Sequence, residues 1–70
     1  MFDNIHHIHC LGIGGSGLSA LASLLLAQGK TVTGSDIADS VFTERLKNEG
    51  ARVAIGHRDE NVANTAQVVI

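Results

Sequence analysis

Gly12-Ile13-Gly14-Gly15-Ser16-Gly17 carries glycines at the spacing G-x-G-x-x-G, and an acid, Asp36, stands nineteen positions after Gly17. Residues of these types at this spacing could bind a nucleotide diphosphate. Gly12 suits a tight turn. Gly14 would let the backbone approach a ligand with no Cβ in the way, so a bulky residue there is expected to keep a ligand off while leaving the fold largely intact. Gly17 would let a following helix pack closely on the preceding strand. Gly15 and Ser16 would stand where such a helix begins, and its free N–H groups and partial positive charge favour a diphosphate. The Ser16 hydroxyl adds a donor. Asp36 could accept the two hydroxyls of a ribose, or it could be a strand-end acid satisfied by nearby backbone N–H groups. Loop and acid together point to a nucleotide without naming it: an NAD(P)-binding domain of an oxidoreductase or regulatory subunit would use the same residues.

Other candidates carry less. Gly29-Lys30-Thr31 looks like the end of an ATP phosphate loop, but that pattern needs a glycine where this chain has Leu24. It reads as a helix cap followed by a solvated lysine. His6, His7 and His9 are close in sequence, and alternate strand residues share a face, so His7 and His9 would point the same way. Two imidazoles without a nearby third ligand make a poor metal site, and hydrogen-bonded or strand-edge histidines are the expectation. Cys10 would face opposite to His9 as a small buried hydrophobe. No nucleophile arrangement of the Ser/His/Asp or Cys/His kind can be argued.

The elements that must position the glycine loop follow from the hydrophobic pattern. Ile5 to Leu11 is a short apolar-rich run ending at the glycine cluster, hence a strand entering a turn. Ser16 to Gln28 places Leu18, Leu21, Ala22 and Leu25 on one helical face, with Gly29 at the C-terminal cap. Leu24 and Leu26 fall off that stripe and leave apolar surface. A second strand begins at Thr31 and ends at Gly34-Ser35-Asp36. Asp39 or Ser40 caps a second helix to about Glu49, with Phe42 and Leu46 inward and Gly50 as terminator. Arg52 to Ile55 forms a third strand, and Gln67 to Ile70 opens a fourth that the chain cuts off. Strands alternating with helices over short connections mean a parallel sheet with right-handed crossovers. The expected fold is therefore α/β, a Rossmann-like parallel sheet with flanking helices, the first half of a doubly wound fold. Strand 4 would lie beside strand 1, and the crevice between them would be the ligand site. Residues 1–70 form one folding unit.

Composition excludes several functions. The net charge is −2 with five Lys and Arg spread along the chain, which makes no patch for nucleic acid or an anionic membrane. The most apolar window, Leu18 to Ala27, includes two serines and is far shorter than the roughly 20 residues of a membrane span. A single cysteine forms no internal disulfide and suits a reducing, cytoplasmic setting. A chain of 70 residues buries only about 60% of its unfolded surface, so marginal stability or self-association is expected.

Beyond the loop, a longer series of residues resembles the N-terminal domain of the Mur ligase family. The series runs His7-Ile8-His9-Cys10-Leu11 into the glycine loop, then Val32-Thr33-Gly34-Ser35-Asp36-Ile37, Thr43-Glu44-Arg45-Leu46, Gly50-Ala51, Gly56-His57 and Glu60-Asn61-Val62. It is most similar to the members that add L-alanine to UDP-N-acetylmuramate. The family's muropeptide ligases, whose loop carries a Cys and a bulky residue where this chain has Gly14 or Gly15 and Gly17, resemble it less. The resemblance implies a domain that binds the UDP part of the substrate, while ATP and magnesium belong to a central domain of a longer parent. It places Gly14, Gly15, Ser16 and Gly17 at the diphosphate, Ser35, Asp36 and Ile37 around the uridine, and His57 beside the same pocket. It implies no cofactor and no metal in this chain, and no catalysis by it alone.

Overall fold

The structure, a computed structural model, describes residues 3–56 and 65–70. The elements run β1 (His7–Leu11), α1 (Ser16–Ala27), β2 (Thr31–Asp36), α2 (Val41–Glu49), β3 (Arg52–Ile55) and β4 (Val68–Val69). The four strands form one parallel sheet in the order β3-β2-β1-β4, the order expected of half a doubly wound fold. Ile8 pairs with Val32 on one side and Val68 on the other. β4 is short, yet its pairing continues on both sides: Leu11 N–H donates to the Ile70 carbonyl at 2.7 Å, and Gln67 N–H to that of His7 at 2.9 Å. The Gln67 side chain extends the match by accepting from the N–H groups of His6 and His7 at 2.6 and 3.1 Å.

Alternation along the strands divides the sheet chemically. Ile8, Cys10 and Val32 point toward the helices and join Ile13, Ala22, Leu25, Leu46 and Ala51 in one buried cluster. Cys10 is buried there as expected, and desolvation pushes its thiol up to about 11. On the opposite face stand His7, His9, Thr33 and Ser35, the last three buried. α1 packs against β2 and α2, and α2 against β3, so both helices cover one face.

Two details differ from the sequence pattern. Phe42 does not point inward. It is 38% exposed under Arg45, whose guanidinium lies 5.6 Å from the ring centroid, and Thr43 takes the buried place beside Leu46. A short helix opening with Ser40 as cap turns its third residue inward, because Thr43 must reach back to close the cap. Leu26, expected outside, is partly buried against the core near the end of α2, whereas Leu24 is 48% exposed as its position implied.

Within β2, Gly34 is where sheet and loop meet most closely. A Cβ there would stand 2.5 Å from Ile13 Cδ1 and 2.8 Å from the Cys10 carbonyl oxygen. Backbone cannot give way as a flexible side chain can, so Gly34→Ala should lower the unfolding free energy by about 1–3 kcal/mol, the range for overpacking. Urea unfolding of variant and parent measures this. Equal midpoints would mean that Ile13 repacks freely.

Candidate functional site

The loop between β1 and α1 is held almost entirely by the end of β2. Gly12 turns the chain with φ +75°, a conformation in which glycine alone is at ease. The N–H groups of Gly12 and Ile13 both donate to the Ser35 carbonyl, at 2.8 and 3.1 Å. Gly14 N–H donates to Asp36 Oδ2 at 2.8 Å, and Gly15 N–H to the Gly12 carbonyl at 2.9 Å. Every amide from position 12 to 15 is thus satisfied within the loop or by β2.

The donors that remain lie one step further on. Gly15 is the N-cap of α1, with no side-chain cap bond and no acid in the first turn. Ser19 N–H is the first helical amide to find a carbonyl, that of Gly15 at 2.7 Å. Among the described residues the N–H groups of Ser16, Gly17 and Leu18 have no acceptor. Gly15, Ser16 and Gly17 are exposed, and a Cβ on Gly17 would meet nothing within 4 Å. This open turn sits where Leu11, Asp36, Ile55 and Ile70 end or follow their strands, the carboxyl side of the sheet, next to the β1–β4 boundary where strand order reverses. An anion could be held by three convergent amides and the helix dipole.

Two of the glycines work differently from the sequence expectation. Gly14 is required by the chain itself: a Cβ would stand 2.8 Å from Asp36 Oδ2, 3.0 Å from Thr43 Cγ2 and 3.3 Å from Ser40 Oγ. A bulky residue there would disrupt the loop instead of leaving the fold intact. Gly17 is not a close-packing position, since the space around it is open, and Gly34 performs that role. A glycine inside a strand is the sequence signal for such an approach.

The other candidates divide clearly. Asp36 is half-buried at the end of β2, and its Oδ1 also accepts from Ile37 N–H at 2.8 Å. Ile37, 75% exposed, follows directly at the rim. Ser35 is fully buried, and its contribution to the loop is its carbonyl. His57 lies outside the described residues. His7 Nε2 and His9 Nδ1 both lie within hydrogen-bond distance of the Thr33 hydroxyl, 3.0 and 2.8 Å, so they are the hydrogen-bonded histidines expected. Thr33 was not singled out from sequence, although its register partner His9 marks it. Among the described residues no group of three or more His, Cys, Asp or Glu could hold a metal ion. No helix there is long and apolar enough to cross a membrane. Gly29-Lys30-Thr31 closes α1, with Gly29 at φ +83°, and offers no phosphate cradle.

The catalytic-domain profile of the Mur ligase family matches residues 7–70. The chain belongs to the Mur ligase family. It is 52% identical over 65 residues to a UDP-N-acetylmuramate--L-alanine ligase of Sulfurihydrogenibium sp., covering 93% of this chain and 14% of that protein. A UDP-N-acetylmuramate--L-alanine ligase of Bordetella avium is 49% identical over 69 residues, 99% of this chain and 15% of that protein. The crystal structure of a murein peptide ligase from Psychrobacter arcticus superposes with a TM-score of 0.87 at 33% identity, over 93% of this chain and 14% of that one. The chain spans about 15% of the length of the relatives it matches.

Burial first, and the neighbouring His7 imidazole second, hold His9 below the usual imidazole range. The unfolded chain therefore takes up a proton near its ordinary value of about 6.5 while the folded chain does not. Stability should then fall as pH drops through that value, by at most about 1.4 kcal/mol per pH unit. Urea unfolding at about pH 7.5 and about pH 5.5 measures the loss, and His9→Gln should flatten it. Identical pH slopes for parent and variant would assign the dependence elsewhere.

Proposed function

We propose that this chain, residues 1–70, is the part of a longer ligase that binds the UDP portion of UDP-N-acetylmuramate, and that the parent joins L-alanine to it in peptidoglycan synthesis. The observation that carries the reading is the open first turn of α1, with three amides lacking acceptors at the strand-order reversal of a Mur ligase family chain. A diphosphate would accept from the Ser16, Gly17 and Leu18 N–H groups, with the Ser16 hydroxyl beside them. Gly12, Gly14 and Gly15 shape the turn that leaves these amides open. Asp36, at the end of β2 beside the loop, would accept a uridine hydroxyl. Ile37 supplies apolar surface at the rim, Ser35 supports the loop from within the sheet, and His57 would flank the pocket.

ATP and magnesium belong to the parent's central domain. The described residues of this chain do not fit them: they hold neither a group of three or more potential metal ligands nor a strand-loop-helix with the lysine of a phosphate loop. The chain contributes binding and orientation, which for phosphoryl transfer is only useful next to a γ-phosphate cradle supplied elsewhere. The reading implies a cytoplasmic protein, since the nucleotide substrate is there.

Calorimetric titration with UDP, UDP-N-acetylmuramate and NAD side by side tests the assignment. The two uridine ligands should bind and NAD should not. Gly17→Leu places a side chain in open space over the first turn, so it should keep the fold and, by its bulk, hold a diphosphate away from the first-turn amides, weakening UDP roughly tenfold or more, as much as one charge-assisted hydrogen bond contributes. Binding of NAD in place of UDP would shift the chain to the oxidoreductase reading.

With ATP, magnesium, L-alanine and UDP-N-acetylmuramate, the chain alone should release no ADP. Release dependent on every substrate, from material free of host ligase, would require a phosphate site in this chain.

A further inference from the structure

Gly14 occupies a slot with two walls. One is the Asp36 carboxylate, whose Oδ2 accepts the Gly14 N–H at 2.8 Å; the other is the N-terminal cap of α2, with Thr43 Cγ2 and Ser40 Oγ 3.0 and 3.3 Å from the place of a Cβ. The remaining loop amides bond to backbone carbonyls, those of Ser35 and Gly12. Gly14 is the one position in the loop whose amide is held by a side chain. It is followed by Gly15, which caps α1, and a Gly-Gly pair without a tether samples backbone conformations closed to other residues. The direction in which the Ser16, Gly17 and Leu18 amides point depends on that pair.

We propose that Asp36 is a positioning residue for the anion site: it acts on a bound diphosphate through Gly14, by clamping the loop against the α2 cap. The functional half of this inference rests on the diphosphate reading above, and the clamp itself does not. A carboxylate close to a diphosphate is electrostatically unfavourable as a direct contact, but as a clamp it needs only an oxygen acceptor. The neutral isostere keeps an oxygen for the Gly14 N–H and gives up only the acceptor for the Ile37 N–H, so it should serve, and truncation should not.

Inorganic pyrophosphate is the discriminating probe because it has no ribose. Asp36→Ala should weaken pyrophosphate roughly tenfold, as loss of a hydrogen bond to a charged group would, and Asp36→Asn should bind it at least as well as the parent. Amide exchange provides the ligand-free readout: the Gly14 N–H should exchange roughly tenfold faster in Asp36→Ala, with Val32 and Thr33 in β2 unchanged, and recover in Asp36→Asn. Unaltered pyrophosphate binding or unaltered Gly14 exchange in Asp36→Ala would overturn the proposal and leave Asp36 a ribose contact only. Should that variant lose its fold, the parent decides: the Gly14 amide resonance must move as the Asp36 carboxyl is protonated, and a stationary resonance overturns the clamp. A parent that binds neither UDP nor pyrophosphate would refute the diphosphate reading, while Gly14 exchange would still test the clamp.

Discussion

The last three residues of β2 hold the exit of β1 at a distance that only a glycine permits. Gly34 brings Ile13 and the Cys10 carbonyl to within reach of its backbone, the Ser35 carbonyl takes two loop amides, and the Asp36 carboxylate takes a third. Three consecutive residues thus act by three different means: absence of a side chain, a main-chain acceptor and a charged side-chain acceptor. The loop has no freedom left by the time it reaches Gly15, so the axis of α1 is set relative to the sheet before any helix packing is considered. The packing of Ala22 and Leu25 then stabilises a direction already chosen. If Gly34 carried a side chain, Ile13 would leave the core cluster and the loop would lose the floor on which its turn is built.

The two helices treat their N-termini differently, and only that of α1 is left without a side-chain cap or an acid in its first turn. α2 is closed by a reciprocal box: Ser40 Oγ accepts from Thr43 N–H at 3.2 Å, and Thr43 Oγ1 from Ser40 N–H at 2.7 Å. Glu44 lies in its first turn, and Lys47 reaches Glu44 Oε2 at 2.8 Å and Asp39 Oδ2 at 3.4 Å. The Thr43 hydroxyl, foremost among several partners, holds the Asp39 carboxyl below the usual carboxylate range. Such an end has capped one of its first-turn donors, the Thr43 N–H, with a side chain, and the acids beside it repel a further anion. α1 has glycine at its cap and no acid in the first turn. Glycine in place of a serine or aspartate cap costs only a few tenths of a kcal/mol, a small penalty for leaving a cationic pole open.

The fold was legible because its signals are local. Gly12, Gly29 and Gly50 adopt positive φ where turn and cap were expected, the apolar face of α1 follows the helical period, and the order of elements leaves few topologies for a parallel sheet. The site was only half legible, because spacing identifies a glycine that must lack a side chain but not the neighbour that forbids one. For Gly14 that neighbour is Asp36 within the same chain, and the motif alone suggested a ligand. For Gly17 it is nothing at all. Thr43 was missed as a buried residue because Phe42 is larger and apolar, and a two-turn helix offers too short a period to overrule size. Thr33, the hydroxyl shared by two imidazoles, is visible only once β1 and β2 are placed in register.

These differences change what a glycine fingerprint means in this chain. If the loop were a cradle, its own amides would face the ligand, yet all four from Gly12 to Gly15 bond inside the protein. The loop is better understood as the device that lifts the start of α1 clear of side chains and aims it across the carboxyl ends of β1 and β4. Folding and the proposed binding would then draw on the same contacts, since whatever loosens the Asp36 to Gly14 link would disturb both the loop's shape and the presentation of the helix. That shared dependence is also what the proposed site in so short a chain would need. The groups that would meet a diphosphate are main-chain amides, which lose no side-chain entropy on binding, and they are oriented by hydrogen bonds that the folded chain has already formed.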